Sequence, residues 1–184
     1  MDRYQSNLVW IDLEMTGLDA RRDTILEIAT LVTTNDLEEI IPGPSFVIHH
    51  DEATLELMDE WNRTHHGRSG LVNSVRASTT TMKKAEDATL SFLMQQCKKN
   101  NSPLCGNSVW QDRIFLKKYM PRIDEFLHYR IIDVSSIKEA VKRWYPESPY
   151  MNFVKVENHR AYEDIEQSIE ELKHYRTFFF GEKI

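Results

Sequence analysis

The stretch Leu8-Val9-Trp10-Ile11-Asp12-Leu13-Glu14-Met15-Thr16-Gly17-Leu18 constrains the fold more than any other part of the chain. Its first residues are apolar and β-favouring without interruption, which marks a central strand covered on both faces. Two carboxylates then appear two residues apart. Side chains alternate along a strand, so Asp12 and Glu14 point to the same side. Gly17 breaks the pattern and turns the chain. Like charges at the mouth of a buried strand repel and are poorly solvated, and they stay ionised together only where cations neutralise them. A lone D-x-E is also what an ordinary strand end dipping into solvent looks like, so the rest of the chain decides between the two readings.

Downstream, Ile25 to Thr33 reads as a second strand and Ser45 to His50, after Pro42-Gly43-Pro44, as a third; with short connections they form an antiparallel meander. From Ala53 to Asn62 the apolar spacing turns helical, and 64–70 reads as a loop whose adjacent His65 and His66 are paired surface histidines rather than a metal site. Helices are predicted over Met82–Lys99, Trp110–Tyr119 (stopped by Pro121), Val134–Trp144 and Ala161–Phe178, with short strands at Pro103–Asn107 and Tyr129–Asp133. This order fits one α/β domain over 1–184, antiparallel on one side of its sheet and parallel on the other.

At 184 residues the chain can bury a substantial core. No apolar run reaches membrane-spanning length, and Met1-Asp2-Arg3-Tyr4 does not begin a signal peptide. Cys97 and Cys105 lie outside any C-x-x-C pattern, which argues against structural zinc or a disulfide framework and fits a reducing cytoplasm. The net charge is −6 and no basic stripe of the kind that grips long nucleic acid is visible, which does not exclude a short ligand in a local pocket.

In open α/β sheets, sites form beyond the carboxyl ends of the central strands, where Asp12 and Glu14 stand. Asp112 falls in the first turn of the helix after the fourth strand, near the same edge. Taken alone it is an acid that favours a helix N-terminus. Asp164 lies three residues after Ala161 at the margin of the final helix's buried stripe, Ala161, Ile165, Ile169 and Leu172. His159 precedes that helix. Four acids and a histidine converging from separate elements have a specific use: carboxylates hold two Mg²⁺ or Mn²⁺ ions roughly 3.5–4 Å apart for phosphoryl displacement, and a histidine deprotonates the attacking water.

These residues resemble the three motifs of the DEDDh 3′-to-5′ exonuclease superfamily: Asp12-x-Glu14 in D-L-E-M-T-G-L, Asp112 in G-N-S-x-x-Q-D-R, and H-R-A-x-x-D-I at His159 to Ile165. From end to end the chain is similar to the oligoribonuclease family, with H-x-x-S-G-L ending at Leu71 and H-Y-R-x-I-D-V-S from His128 adding to the match. The resemblance implies a ribonuclease H-like α/β fold, a mixed central sheet of about five strands with helices on both faces. It implies hydrolysis of short RNA oligonucleotides, dinucleotides especially, to 5′-mononucleotides by a cytoplasmic homodimer. Asp12, Glu14, Asp112 and Asp164 would hold two divalent cations, Mg²⁺ or Mn²⁺, with His159 as general base. Leu18 and Trp61 would stack on or wedge between the bases. His66, Ser108, Arg130 and Ser135 would cap the 5′ phosphate, with Tyr129 reaching in from the partner subunit.

The bare residues leave Trp61 open as helix packing and Arg130 as a surface cation. Departures from the family pattern are small: Tyr162-Glu163, a bulky Trp110, and Ser136 after Ser135. The nearest rival is another DEDDh exonuclease, proofreading or RNA-trimming, which needs an open groove and extra basic residues. A phosphatase using Asp12 as nucleophile should carry D-x-D with a later lysine. A non-catalytic nucleotide-binding module should lack at least one of the five residues.

Overall fold

The computed structural model describes residues 6–154 and 160–181. Its centre is a five-stranded mixed sheet in the order β3-β2-β1-β4-β5, formed by β1 (Leu8–Met15), β2 (Ile25–Thr33), β3 (Ile40–Val47), β4 (Leu104–Gly106) and β5 (Ile131–Asp133). The first three pair antiparallel, and β4 and β5 add parallel to β1. β1 is thus the central strand, as its apolar run requires.

Alternation along β1 sorts the helices. Val9, Ile11 and Leu13 enter a core with α4 (Met82–Gln96), α5 (Trp110–Tyr119) and α6 (Pro121–Phe126). Leu8 and Trp10 enter the opposite core, with Val134 and Val141 of α7 (Val134–Trp144) and Ala161, Ile165, Ile169 and Tyr175 of α8 (Ala161–Phe179). Asp12 and Glu14 continue the second series, so the two-residue period aims both carboxylates towards α8. Three short helices, α1 (Glu52–Glu56), α2 (Glu60–Arg68) and α3 (Leu71–Ala77), close over the sheet through a small core of Leu26, Leu55, Met58, Leu71 and Val75.

The structure departs from the sequence reading in several places. The third strand is Ile40–Val47 and includes Pro42-Gly43-Pro44. It is an edge strand, where proline's missing donor costs nothing, and a register shift absorbs the triplet opposite Ala29–Leu31. Gly43 is required there: a Cβ would come within 2.5 Å of the Phe92 ring and 2.6 Å of the Thr30 carbonyl. The helix expected over 53–62 is two helices, because Asp51 and Asp59 each cap a new N-terminus by accepting from Thr54 N and Asn62 N. Residues 64–68, expected as loop, complete α2, and Gly70 at φ 76° opens α3. Pro121 stops α5 and also starts α6, where its fixed φ suits the first turn. Among the described residues no helix is long and apolar enough to cross a membrane.

Candidate active site

β4 ends at Gly106, and β1 pairs with it only through Val9 and Trp10. Among the described residues no strand pairs with the last residues of β1 on that edge, which is where the two carboxylates stand. From the α8 side Asp164 joins them: Asp12, Glu14 and Asp164 place one carboxylate oxygen each within 4.8 Å of one another. Asp164 is brought there by the first turn of α8, where its N–H donates to Arg160 O at 3.1 Å. Asp112 reaches the same strand from the α5 face and takes the place of the absent neighbour, its Oδ1 accepting from Leu13 N at 3.0 Å. Three of the four predicted acids form one cluster, and the fourth is tied to the residue between the first two. His159 lies outside the described residues.

The electrostatics of this cluster are unfavourable without a cation. Burial pushes the Glu14 carboxyl up to about 8, with Asp164, Glu27 and Asp112 adding to the rise and Arg160 opposing it. Burial raises Asp112 as well, against the hydrogen bond from Leu13 that lowers it. An all-oxygen donor set of crowded, half-desolvated carboxylates fits a hard divalent cation.

Two neighbours were not anticipated from the sequence. Glu27 lies opposite Glu14 on β2, is 2% exposed, and receives a bidentate pair from Arg160 at 2.7 and 3.1 Å. Glu27 interrupts an apolar run with one charge, and Arg160 follows His159; those were the available signals. The pair joins β2 to the start of α8, so it fixes the backbone that carries Asp164.

Beside Glu14, a cleft of about 190 Å³ is lined by Leu13, Met15, Gly17, Leu18, Trp61, Asn62, His65 and His66. Leu18 and Trp61 are 72% and 60% exposed on its walls, so Trp61 is not helix packing. His65 stacks on the Trp61 ring with centroids 3.8 Å apart. His66 is buried, correcting the reading of paired surface histidines: a ring nitrogen bonds Met15 O at 2.9 Å and the other lies 3.7 Å from Glu14. α2 aims it inward because its amide-capped turn starts at Asp59, which sets which face meets β1. Leu18 sits on a turn braced by Asp23, whose carboxylate accepts from Thr16 Oγ1 at 3.1 Å and Asp19 N at 2.9 Å. Gly17 leaves no room beyond hydrogen, since a Cβ would lie 2.5 Å from that carboxylate.

Ser108 and Ser135 meet at the ends of β4 and β5. Ser108 N donates to Asp133 Oδ1 at 2.8 Å and to Ser135 Oγ at 3.0 Å, and Ser135 Oγ donates to Asn107 Oδ1 at 3.1 Å. Ser108 holds φ 51°, a left-handed backbone kept by these bonds. Asn107 and Asp133 were missed because a half-buried amide and a capping acid look like turn residues in sequence. Arg130 and Tyr129 stand just before β5, whereas Ser135 follows its end. Their backbones thus lie at opposite ends of a three-residue strand, and His66 lies on the Glu14 side. Arg113 holds the 128–130 turn, donating to His128 O at 2.8 Å, Tyr129 O at 3.0 Å and Asp124 at 2.9 Å.

Comparison with known proteins agrees with this geometry. The RNase_T exonuclease family model matches residues 9–172. The oligoribonuclease of Paracidovorax citrulli is 52% identical over 170 residues, covering 92% of this chain and 88% of that protein. That of Dichelobacter nodosus is 52% identical over 180 residues, covering 98% of each. Among solved structures, E. coli exonuclease I in complex with a 5cy-dT13 oligonucleotide superposes with a TM-score of 0.72 at 15% identity, over 95% of this chain. This chain spans 41% of that one, and at such identity the match speaks to the ribonuclease H-like fold alone. Half-identity across nearly whole chains, on a fold that brings the carboxylates together, establishes that the chain belongs to the oligoribonuclease family of exonucleases.

Proposed function

We propose that the chain acts as a single exonuclease domain that removes nucleotides from the 3′ end of short oligoribonucleotides, dinucleotides especially, releasing 5′-mononucleotides. The observation that carries this is that Glu14, one of the three clustered carboxylates, lines the same cleft as Leu18 and Trp61. Asp12, Glu14, Asp112 and Asp164 would hold two divalent cations, Mg²⁺ or Mn²⁺. Bound there, such ions supply Lewis acidity at the phosphate and lower the pKa of a coordinated water.

The chain's own groups do the rest. Leu18 and Trp61 stack on or wedge between the bases and fix the 3′ nucleotide. His159, assigned by its place in H-R-A-x-x-D, takes the proton from the attacking water as the phosphodiester P–O3′ bond breaks and the leaving oxygen is protonated. Ser108 and Ser135, with His66 and Arg130, receive the 5′ phosphate, and that closed end rejects longer chains.

The Arg130 and Tyr129 positions favour a homodimer in which Tyr129 serves the neighbouring subunit. Tyr129 is 71% exposed, and Trp110 and Ile114, flanking Arg113 on α5, are exposed apolar residues suited to a second copy. Both cysteines are free thiols, which fits a reducing cytoplasm.

The test uses 5′-labelled RNAs of two to ten nucleotides with Mg²⁺, Mn²⁺ or chelator. The dinucleotide should be cut fastest, chelation should stop cleavage, and Asp12→Ala and His159→Ala should reduce it about a hundredfold or more. An uncut dinucleotide, or full activity in Asp12→Ala, overturns the reading. A preference for the longer RNAs favours the trimming-exonuclease alternative.

A further inference from the structure

One face of α5 clasps the whole turn that presents Leu18. At the helix start, Gln111 Nε2 donates to Leu18 O at 2.7 Å. A carbonyl only accepts, so the amide must show its nitrogen there. Two turns further along the same face, Lys118 Nζ donates to Ala20 O and, at 3.2 Å, to Arg21 O. Tyr119 OH donates to Asp23 O, and the Lys118 ammonium lies 2.8 Å from that hydroxyl. The turn is therefore held at its beginning, middle and end by the helix whose first turn also carries Asp112. Leu18 itself is 72% exposed and has no core to settle into. Its position beside Glu14 in the cleft follows its backbone, which the Asp23 carboxylate braces from within the turn and the clasp ties to α5.

We propose that Gln111, backed by Lys118 and Tyr119, is a positioning residue that fixes the distance between Leu18 and the carboxylate cluster, and so sets the preference for the shortest RNA. The inference rests on the reading of Leu18 as a base-contacting residue. A dinucleotide offers only two bases, so a displaced wedge removes a large share of its binding, while a longer RNA retains contacts elsewhere.

The test is a double-mutant cycle in kcat and KM on a dinucleotide and a pentanucleotide, using Leu18→Ala, Gln111→Met and the pair together. Methionine keeps the length of glutamine and removes the donor. Gln111→Met should raise KM for the dinucleotide about tenfold, leave kcat within about twofold, and narrow the preference over the pentanucleotide. Added to Leu18→Ala, it should raise KM no further. Tyr119→Phe should move KM the same way by a smaller factor, which keeps the clasp testable if the Gln111 variant folds poorly. A merely structural role would lower thermal stability and kcat together and spare the KM ratio between the two substrates. If Leu18→Ala raises KM but Gln111→Met and Tyr119→Phe do not, or if the Leu18 and Gln111 effects add in full, the clasp is overturned while Leu18 keeps its role. If Leu18→Ala leaves KM unchanged, the base-contact reading fails and the inference falls with it.

Discussion

Arg160 shows how much of this site is decided by side chains that touch no substrate. Its guanidinium opposes the rise of the Glu14 carboxyl, and it pairs with Glu27, a carboxylate 2% exposed. Removing one partner of such a pair leaves the other charge buried alone. Arg160→Met should therefore destabilise the protein by about 2–3 kcal/mol in urea titration, and adding Glu27→Gln should recover much of the loss. Equal losses in the single and double variants would refute the coupling.

The carboxylates themselves give a pH signature. Glu14 rises from an ordinary value near 4.5 to about 8 in the folded protein. Between those values the native state binds more protons than the unfolded chain, so stability is greatest at the acidic end and is lost as pH rises. The melting temperature of the chelated protein should fall by about 5 °C or more from pH 5 to pH 8, and Mg²⁺ should restore it chiefly at the alkaline end. A flat profile, or equal rescue at both ends, would contradict the crowded-carboxylate account. At this scale the sequence was most legible where period decided the matter, as for Asp12 and Glu14. It was least legible for Glu27, Arg160 and His66, whose burial depends on partners 133 and 51 residues away.

At the scale of elements, the long amphipathic helices and the central strand were readable, α5 and α7 to their end residues. Periodicity is strong there, and caps and prolines mark the ends. The 40–77 region was not readable, because its structure follows from exceptions: an edge strand that tolerates two prolines, and helices of five to nine residues, two begun by single capping acids and the third by Gly70. Such helices are too short for a hydrophobic period to register. α2 repays attention, since it carries Trp61, His65 and His66 on nine residues. Its cap, Asp59, accepts from Asn62 N at 2.8 Å. Asp59→Ala should cost about 1 kcal/mol of stability and raise the dinucleotide KM through a frayed first turn around Trp61. An unchanged KM with the expected stability loss would detach the cap from the cleft.

For the whole molecule, charge and topology point the same way. A chain with net charge −6 shows no basic stripe in its sequence along which long RNA would release counterions. With about two phosphates contacted, the dinucleotide KM should depend only weakly on NaCl, with a log–log slope of about 1 to 2. A slope of about 4 or more would indicate an extended track along the surface. The sheet order 3-2-1-4-5 was legible in outline from the succession of strands and helices.

The brevity of β4 has an evolutionary corollary. Because that strand stops after three residues, no described strand continues the ladder along the second half of β1, and Asp112 caps it there at Leu13 N. Lengthening β4 by two residues would carry the ladder to Leu13, displace the Asp112 carboxylate from the Leu13 N–H, and yield a sounder sheet. A lineage of this fold released from catalysis is thus free to drift towards a longer fourth strand. The open edge is a vacancy that only function keeps unfilled.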